Sequence, residues 1–273
     1  MNLADALEVA WRTDPGMVRS HNEDAVFADA ALGIAILADG MGGYNAGEVA
    51  SGMATTLLSS NFSRFIPTYS PEHPGFNDPE SARRHLAGEI VAANIAIYNA
   101  AQSQPQYAGM GTTLAVAWFH DNRISVAHVG DSRVYRLRGG VLEQLTRDHS
   151  LLQEQLDSGM ITPHEARYSQ NRNLVTRALG VDPDVVPEIN DFDAQAGDIL
   201  LLCSDGLNDM VEDEEIALIL QTLGGNLPLA AEQLVQMAND NGGRDNVSAI
   251  LVRVCGDYAA PRGWWQKLLA RLK

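Results

Sequence analysis

The apolar run 33–37 (Gly-Ile-Ala-Ile-Leu) ends in Ala38-Asp39-Gly40-Met41-Gly42-Gly43, and this stretch narrows the possible folds more than any other. A short apolar run bounded by a turn reads as a buried strand, and this one delivers a carboxylate to its own end. Three glycines in four positions permit backbone angles that side chains forbid. The turn is therefore expected to bring backbone close to whatever Asp39 holds. Asn45, with Glu48 three residues on, predicts a capping box for a helix running to about Phe65.

Four other aspartates sit in comparable places. Asp24, Asp131, Asp205 and Asp245 each lie beside an expected strand, and three of them adjoin glycine or asparagine. One such residue is an ordinary turn aspartate. Five are harder to dismiss if the strands share a sheet end, because two carboxylates 4 Å apart repel by about 4 kcal/mol at an effective dielectric of about 20. Protons or cations must then neutralise them, and hard divalent ions with oxygen ligands, Mg²⁺ or Mn²⁺, are the natural counterpart. Zinc is disfavoured, since the seven histidines show no ligand spacing and the two cysteines lie apart.

Along the chain, strands are expected at 7–11, 112–119, 123–129, 134–137, 141–145, 198–203 and 247–254. In 112–119, Leu114, Val116 and Trp118 share one face and Ala115, Ala117 and Phe119 the other. Neither is polar, so both should be covered. Helices are expected at 80–101, 212–223 and 228–239. The polar segment 148–172 reads as a mobile flap, with a short helix at 151–157 and a helix start at Thr162-Pro163-His164-Glu165. One domain over 1–257 is expected, followed by a basic aromatic tail, 258–273, containing Trp264-Trp265.

Composition excludes several classes. With 35 acids against 19 bases the net charge is −16, which argues against duplex nucleic acid as a partner. Cys203 and Cys255 are too few for a disulfide framework, and each adjoins an apolar run, so buried free thiols are expected. The first residues lack a basic and an apolar region, and no run approaches the ~20 apolar residues of a membrane span, so a cytoplasmic location is expected. The tail could touch a membrane surface, but one short helix binds weakly alone.

The order of these motifs resembles the metal-dependent protein phosphatases of the protein phosphatase 2C family, in a bacterial-type form. The matching residues are Arg19 with Asn22-Glu23-Asp24, Asp39-Gly40-Met41-Gly42-Gly43, Gly111-Thr112-Thr113 and Gly130-Asp131-Ser132-Arg133. They continue with Thr176-Arg177-Ala178-Leu179-Gly180, Ser204-Asp205-Gly206 and Asp245-Asn246.

The resemblance implies an α+β fold, an αββα sandwich of two antiparallel sheets with helices outside and a metal centre at one edge. It implies that Asp39 bridges two ions, that the Gly40 carbonyl binds one, and that Asp205 and Asp245 hold the first. Glu23 and Asp24 would act on the second, mostly through water, and Asp131 with Asp205 would hold a third, weaker ion. Asn173 is the nearest candidate for a further oxygen from the flap. Arg19 would hold the phosphate dianion with a planar two-pronged donor; the plainer reading is a surface salt bridge.

The implied reaction is hydrolysis of protein phosphoserine and phosphothreonine by a water bridging two cations. The implied partners are phosphorylated proteins and a cognate bacterial serine/threonine kinase, with the phosphatase a monomer. Position 41 is Met where many eukaryotic relatives carry a histidine proposed as general acid, and Met cannot donate a proton. His21 and His149 are expected to be structural. Two other readings compete. A dinucleotide-binding turn fails because Asn45 stands where the third glycine belongs and Asp39 would repel a pyrophosphate. A catalytically silent phosphoprotein-binding regulator of the same fold is opposed by the full set of acids.

Overall fold

The computed structural model describes residues 3–43, 46–69, 73, 75–76, 78–166, 169 and 174–260. Eleven strands are found among them: β1 (Leu7–Asp14), β2 (Asp24–Asp29), β3 (Ile34–Met41), β4 (Gly111–Thr112), β5 (Leu114–His120), β6 (Arg123–Val129), β7 (Arg133–Arg138), β8 (Val141–Gln144), β9 (Glu188–Asp193), β10 (Ile199–Cys203) and β11 (Val247–Val254). The helices are α1 (Leu3–Ala6), α2 (Ala46–Phe65), α3 (Pro79–Ser103), α4 (Leu151–Asp157), α5 (Pro163–Ala166), α6 (Asp205–Asn208), α7 (Asp213–Leu223) and α8 (Leu227–Asp240).

The strands form two antiparallel sheets. One runs β1-β11-β10-β7-β8 and the other β2-β3-β5-β6-β9, with β4 paired to β3. Alternation along the strands explains why both faces of each sheet are dry. Leu114, Val116 and Trp118 of β5 pack with Ala50, Leu58 and Phe62 of α2 and with Leu86 and Ile90 of α3. Ala115, Ala117 and Phe119 instead meet Leu200 and Leu202 of β10 and Ile250 and Val252 of β11, between the sheets. The far faces of β10 and β11 lie under α7 and α8, through Ile216, Leu220, Leu227 and Leu234. The result is the expected α+β sandwich, helices outside two facing sheets.

Several local expectations take a different form. The strand expected over 112–119 is interrupted at Thr113, whose backbone N–H and hydroxyl both turn to Asp39. Strand β9 was not expected. Ile189 and Phe192 point into different clusters, so the segment lacks clean alternation, and it pairs only with β6. Cys203 is buried, but Cys255, expected buried, is exposed at the end of β11. Tyr258, placed in the tail by the sequence reading, is buried against Phe119, and its hydroxyl donates to the Arg123 carbonyl at 3.1 Å.

The box at Thr162 is present: its backbone N–H donates to Glu165 Oε2 at 2.8 Å, and its hydroxyl accepts from Glu165 N. Asn45, Asn173 and 261–273 lie outside the described residues. Among those described, no helix is long and apolar enough to cross a membrane.

Phe62 is fully buried, with its ring 5.5 Å from that of Trp118. Phe62→Ala is expected to cost about 3–5 kcal/mol of stability, through lost transfer energy and a residual cavity. Urea unfolding checks this; a loss below about 1 kcal/mol would mean that the layer collapses around the gap.

Candidate metal centre

The acidic turns converge at one end of both sheets. Asp24 and Asp39 are direct partners across β2 and β3. Asp131 follows β6, Asp205 follows β10, and Asp245 precedes β11. A cleft of about 270 Å³ opens there, lined by Arg19, Glu23, Asp39, Asp131, Asp205 and Asp245, with Met41 and Val175 on its apolar side.

Local contacts hold this end of the sheets against the charge it gathers. The Asp39 carbonyl accepts from Thr113 N and from the Thr112 hydroxyl, both at 2.8 Å, and Asp39 N donates to Thr113 Oγ1 at 3.1 Å. Thr113 Oγ1 lies 2.7 Å from Ser132 Oγ beside Asp131. The Ser51 hydroxyl of α2 donates to the Glu23 carbonyl.

Two glycines are required by close approach between segments of the chain. A Cβ on Gly40 would lie 2.2 Å from the Gly47 carbonyl oxygen and 2.6 Å from that of Glu23. A Cβ on Gly206 would lie 2.0 Å from the Asn246 carbonyl oxygen. The glycine after each aspartate therefore lets neighbouring segments close against the turn.

Asp24 is the partner of Asp39 across the sheet. It does not line the cleft; its Oδ2 accepts from Ser248 Oγ at 2.6 Å and Ser204 Oγ at 2.8 Å. Arg19 is at the cleft mouth, with Nη2 donating to Asp245 Oδ2 at 2.6 Å, so the salt bridge and the place suited to a phosphate coexist.

The electrostatics follow from burial and crowding. Burial, then the charges of Asp24, Asp205, Asp131 and Asp245, push the Asp39 carboxyl well above the ordinary carboxylate range. Asp205 is raised likewise by burial, Asp131 and Asp209. Burial raises Asp24 to about 6 despite its two serine bonds, and raises Asp131, with help from Asp148, to about 6. Oδ1 of Asp24 and Oδ1 of Asp205 are buried without a hydrogen-bond partner among the described residues. Crowded, partly unsatisfied carboxylate oxygens, with no thiol or imidazole lining the cleft among the described residues, are a donor set for hard divalent cations.

The histidines lie elsewhere. His128, His149 and Glu188 bring possible ligand atoms within 4.8 Å of one another, a grouping that spacing along the chain does not reveal. The imidazoles, however, stack at 4.5 Å with 20° between their planes. Lone pairs lying in near-parallel planes do not meet at one ion. His149 Nδ1 also accepts from Gly130 N at 3.2 Å, which leaves the ring proton on Nε2. Burial and the adjacent His128 lower His149 to about 4, so it is neutral at pH 7 and outside the cleft.

Ser204 and Asn246 enter the sequence reading only as neighbours in the matching motifs, with no role given them. Ser248, which like Ser204 donates to Asp24, is missed, and alternation with Asn246 at the start of the last strand is the one signal that could have found it.

Comparison with known proteins matches this arrangement to one family. The sequence pattern of the family described as Protein phosphatase 2C matches residues 18–251. The serine/threonine protein phosphatase PstP of Mycobacterium tuberculosis is 40% identical over 252 residues, covering 92% of this chain. The chain spans only 46% of that relative's length. The serine/threonine phosphatase stp of Listeria monocytogenes is 39% identical over 249 residues, covering 90% of this chain and 95% of that protein. Among solved structures, the catalytic domain of PstP in complex with two manganese ions superposes with a TM-score of 0.79 at 39% identity. The match covers 92% of this chain and 99% of that one.

The raised carboxyls predict an unusual pH dependence. The folded protein keeps protons on Asp24 and Asp39 that the unfolded chain releases near pH 4, so their contribution to stability is full below about pH 4 and is lost as pH rises through 6 and beyond. Without divalent ions, Asp39→Asn should therefore melt higher than wild type at pH 7–8, with the gap closing toward pH 4. Thermal unfolding in EDTA across that range checks it, and a gap independent of pH would contradict it.

Proposed function

The chain belongs to the protein phosphatase 2C family, and we propose that it hydrolyses phosphoserine and phosphothreonine esters in proteins, using divalent cations held in this cleft. The observation that carries the proposal is the meeting of acids from four distant parts of the chain in one cleft with an arginine at its mouth. Asp39 is proposed to bridge two Mn²⁺ or Mg²⁺ ions, with the Gly40 carbonyl, Asp205 and Asp245 completing the protein's share of the first. Glu23 would act on the second ion through water, and Asp131 with Asp205 would hold a weaker third. When bound, such ions supply a reactive water between them and offset charge on the transferring phosphoryl group.

The remaining tasks fall to this chain's own groups. The Arg19 guanidinium is half-exposed at the mouth and spends one of its donors on Asp245, leaving others for two oxygens of a phosphate dianion. Asp24, held through Oδ2 by Ser204 and Ser248, keeps Oδ1 without a hydrogen-bond partner among the described residues and would act with Glu23 on the second ion through water. Met41 beside the cleft offers no proton, and His149 is neutral and does not line the cleft, so solvent in the cleft would protonate the leaving alkoxide. Because such esters are made by protein kinases, the partners would be a kinase's substrates, and the enzyme would act opposite that kinase.

Purified protein should release phosphate from phosphoserine and phosphothreonine peptides with Mn²⁺, and EDTA should abolish this. Asp39→Asn is expected to lower kcat at least about a hundredfold, the scale of losing several kcal/mol of charge stabilisation. Protein that binds phosphopeptides but stays silent across Mn²⁺ and Mg²⁺ would replace the enzyme with a regulator. Arg19→Lys, which keeps charge but loses the fork, should raise KM about tenfold with a smaller change in kcat. Equal KM values would remove Arg19 from the phosphate site.

A further inference from the structure

We infer that Asn246 is a positioning residue that holds the phosphate-binding arginine and the metal-holding carboxylates in one frame, an inference that rests on the function proposed above. Its side chain is buried, and both amide protons and the oxygen are hydrogen-bonded. Oδ1 accepts from Glu23 N at 2.8 Å, while Nδ2 donates to the Pro15 carbonyl at 3.0 Å and the His21 carbonyl at 2.8 Å. These bonds fasten both ends of the segment 15–23, and Arg19 sits in its middle.

The same residue reaches two further parts of the cleft through its backbone. Asn246 N donates to Asp245 Oδ1 at 2.9 Å, and the other oxygen of that carboxylate accepts from Arg19 at 2.6 Å. The Asn246 carbonyl occupies the space that a side chain at Gly206 would need, next to Asp205. One asparagine thus contacts the segment bearing Arg19 and Glu23, the Asp245 carboxylate, and the turn bearing Asp205.

Packing alone would not hold that segment. Met17 and Val18 are 70% and 68% exposed, so it buries little apolar surface and is kept in place mainly by hydrogen bonds. Its other fastenings include the N–H groups of Met17 and Val18 on the Gly243 carbonyl and Asn22 Nδ2 on Thr13 Oγ1, while the Glu23 carbonyl accepts from the Ser51 hydroxyl and from Gly40 N. An amide supplies one acceptor and two donors at this size; aspartate would keep the acceptor, lose both donors and add charge beside Asp245. Asp39 and Asp205 are anchored independently by the sheets. Losing the amide should therefore displace Arg19, while Glu23, whose carbonyl also accepts from Ser51 and Gly40, and the rest of the cleft stay standing.

A double-mutant cycle on Mn²⁺-loaded protein tests this, with Asn246→Ala, Arg19→Ala and the pair. The readouts are the dissociation constant of inorganic phosphate by calorimetry, and KM and kcat for p-nitrophenyl phosphate. Asn246→Ala is expected to weaken phosphate binding and raise KM about tenfold, with kcat changed less, and the pair should be no weaker than Arg19→Ala alone. Asn246→Asp, run through the same cycle, should match the alanine variant and stands in for it if alanine does not fold. Additive losses, or a lowered melting temperature with phosphate binding unchanged, would overturn the inference. Wild-type protein that neither binds nor releases phosphate would overturn the proposed function itself, whereas an active wild type with an additive cycle would remove only the role of Asn246.

Discussion

Repulsion among buried carboxylates is the constraint that everything at this end of the molecule must satisfy. Two such groups 4 Å apart oppose each other by about 4 kcal/mol at an effective dielectric of about 20, and Asp39 feels four. Aspartates on independent loops would move apart. Here Asp39 ends a strand inside one sheet, Asp205 directly follows a strand of the other, and Asp245 leads into β11. Three apolar clusters, one between the sheets and one beneath each helical layer, hold those strands in place. Burial that stabilises the sandwich thus opposes the electrostatic cost of its rim, and divalent cations are the counter-charge the rim is suited to accept.

The polar frame is directed at the backbone and at Asp24 more than at the cleft oxygens. Thr112 and Thr113 bond the main chain of Asp39, Ser51 bonds the carbonyl of Glu23, and Ser204 and Ser248 saturate one oxygen of Asp24. Asp205 Oδ1, by contrast, has no hydrogen-bond partner among the described residues. Such a division leaves Asp205 Oδ1 open to an ion, whereas both oxygens of Asp245 already accept, one from Asn246 N and one from Arg19. Asn246 extends the frame to Arg19, whose segment has too little buried surface to position itself.

Much of the scaffold was legible because its signals are local. Strand β6, strand β11 and helix α4 occupy the expected spans, since each carries its own period and its own boundary residues. Strand β9 escaped notice because an edge strand with two apolar residues on different faces has no period to read. Exposure of Cys255 and burial of Tyr258 depended on where the chain turns after β11, and no local pattern encodes that turn. The family resemblance carried the list of acids further than spacing could, but only packing gives Ser204 and Ser248 their hold on Asp24 Oδ2.

By itself the sequence determined that acidic, glycine-flanked turns end apolar strands, which strands are dry on both faces, and that hard cations suit such oxygens better than zinc. Tertiary structure alone decided which carboxylates face the cleft, that Gly40 and Gly206 serve contacts between segments, and that one asparagine joins Arg19 to the acids. The reason is physical. Strand period and turn chemistry arise between neighbours in the chain, whereas the direction and burial of a carboxylate depend on groups some two hundred residues away, as Ser248 is from Asp24.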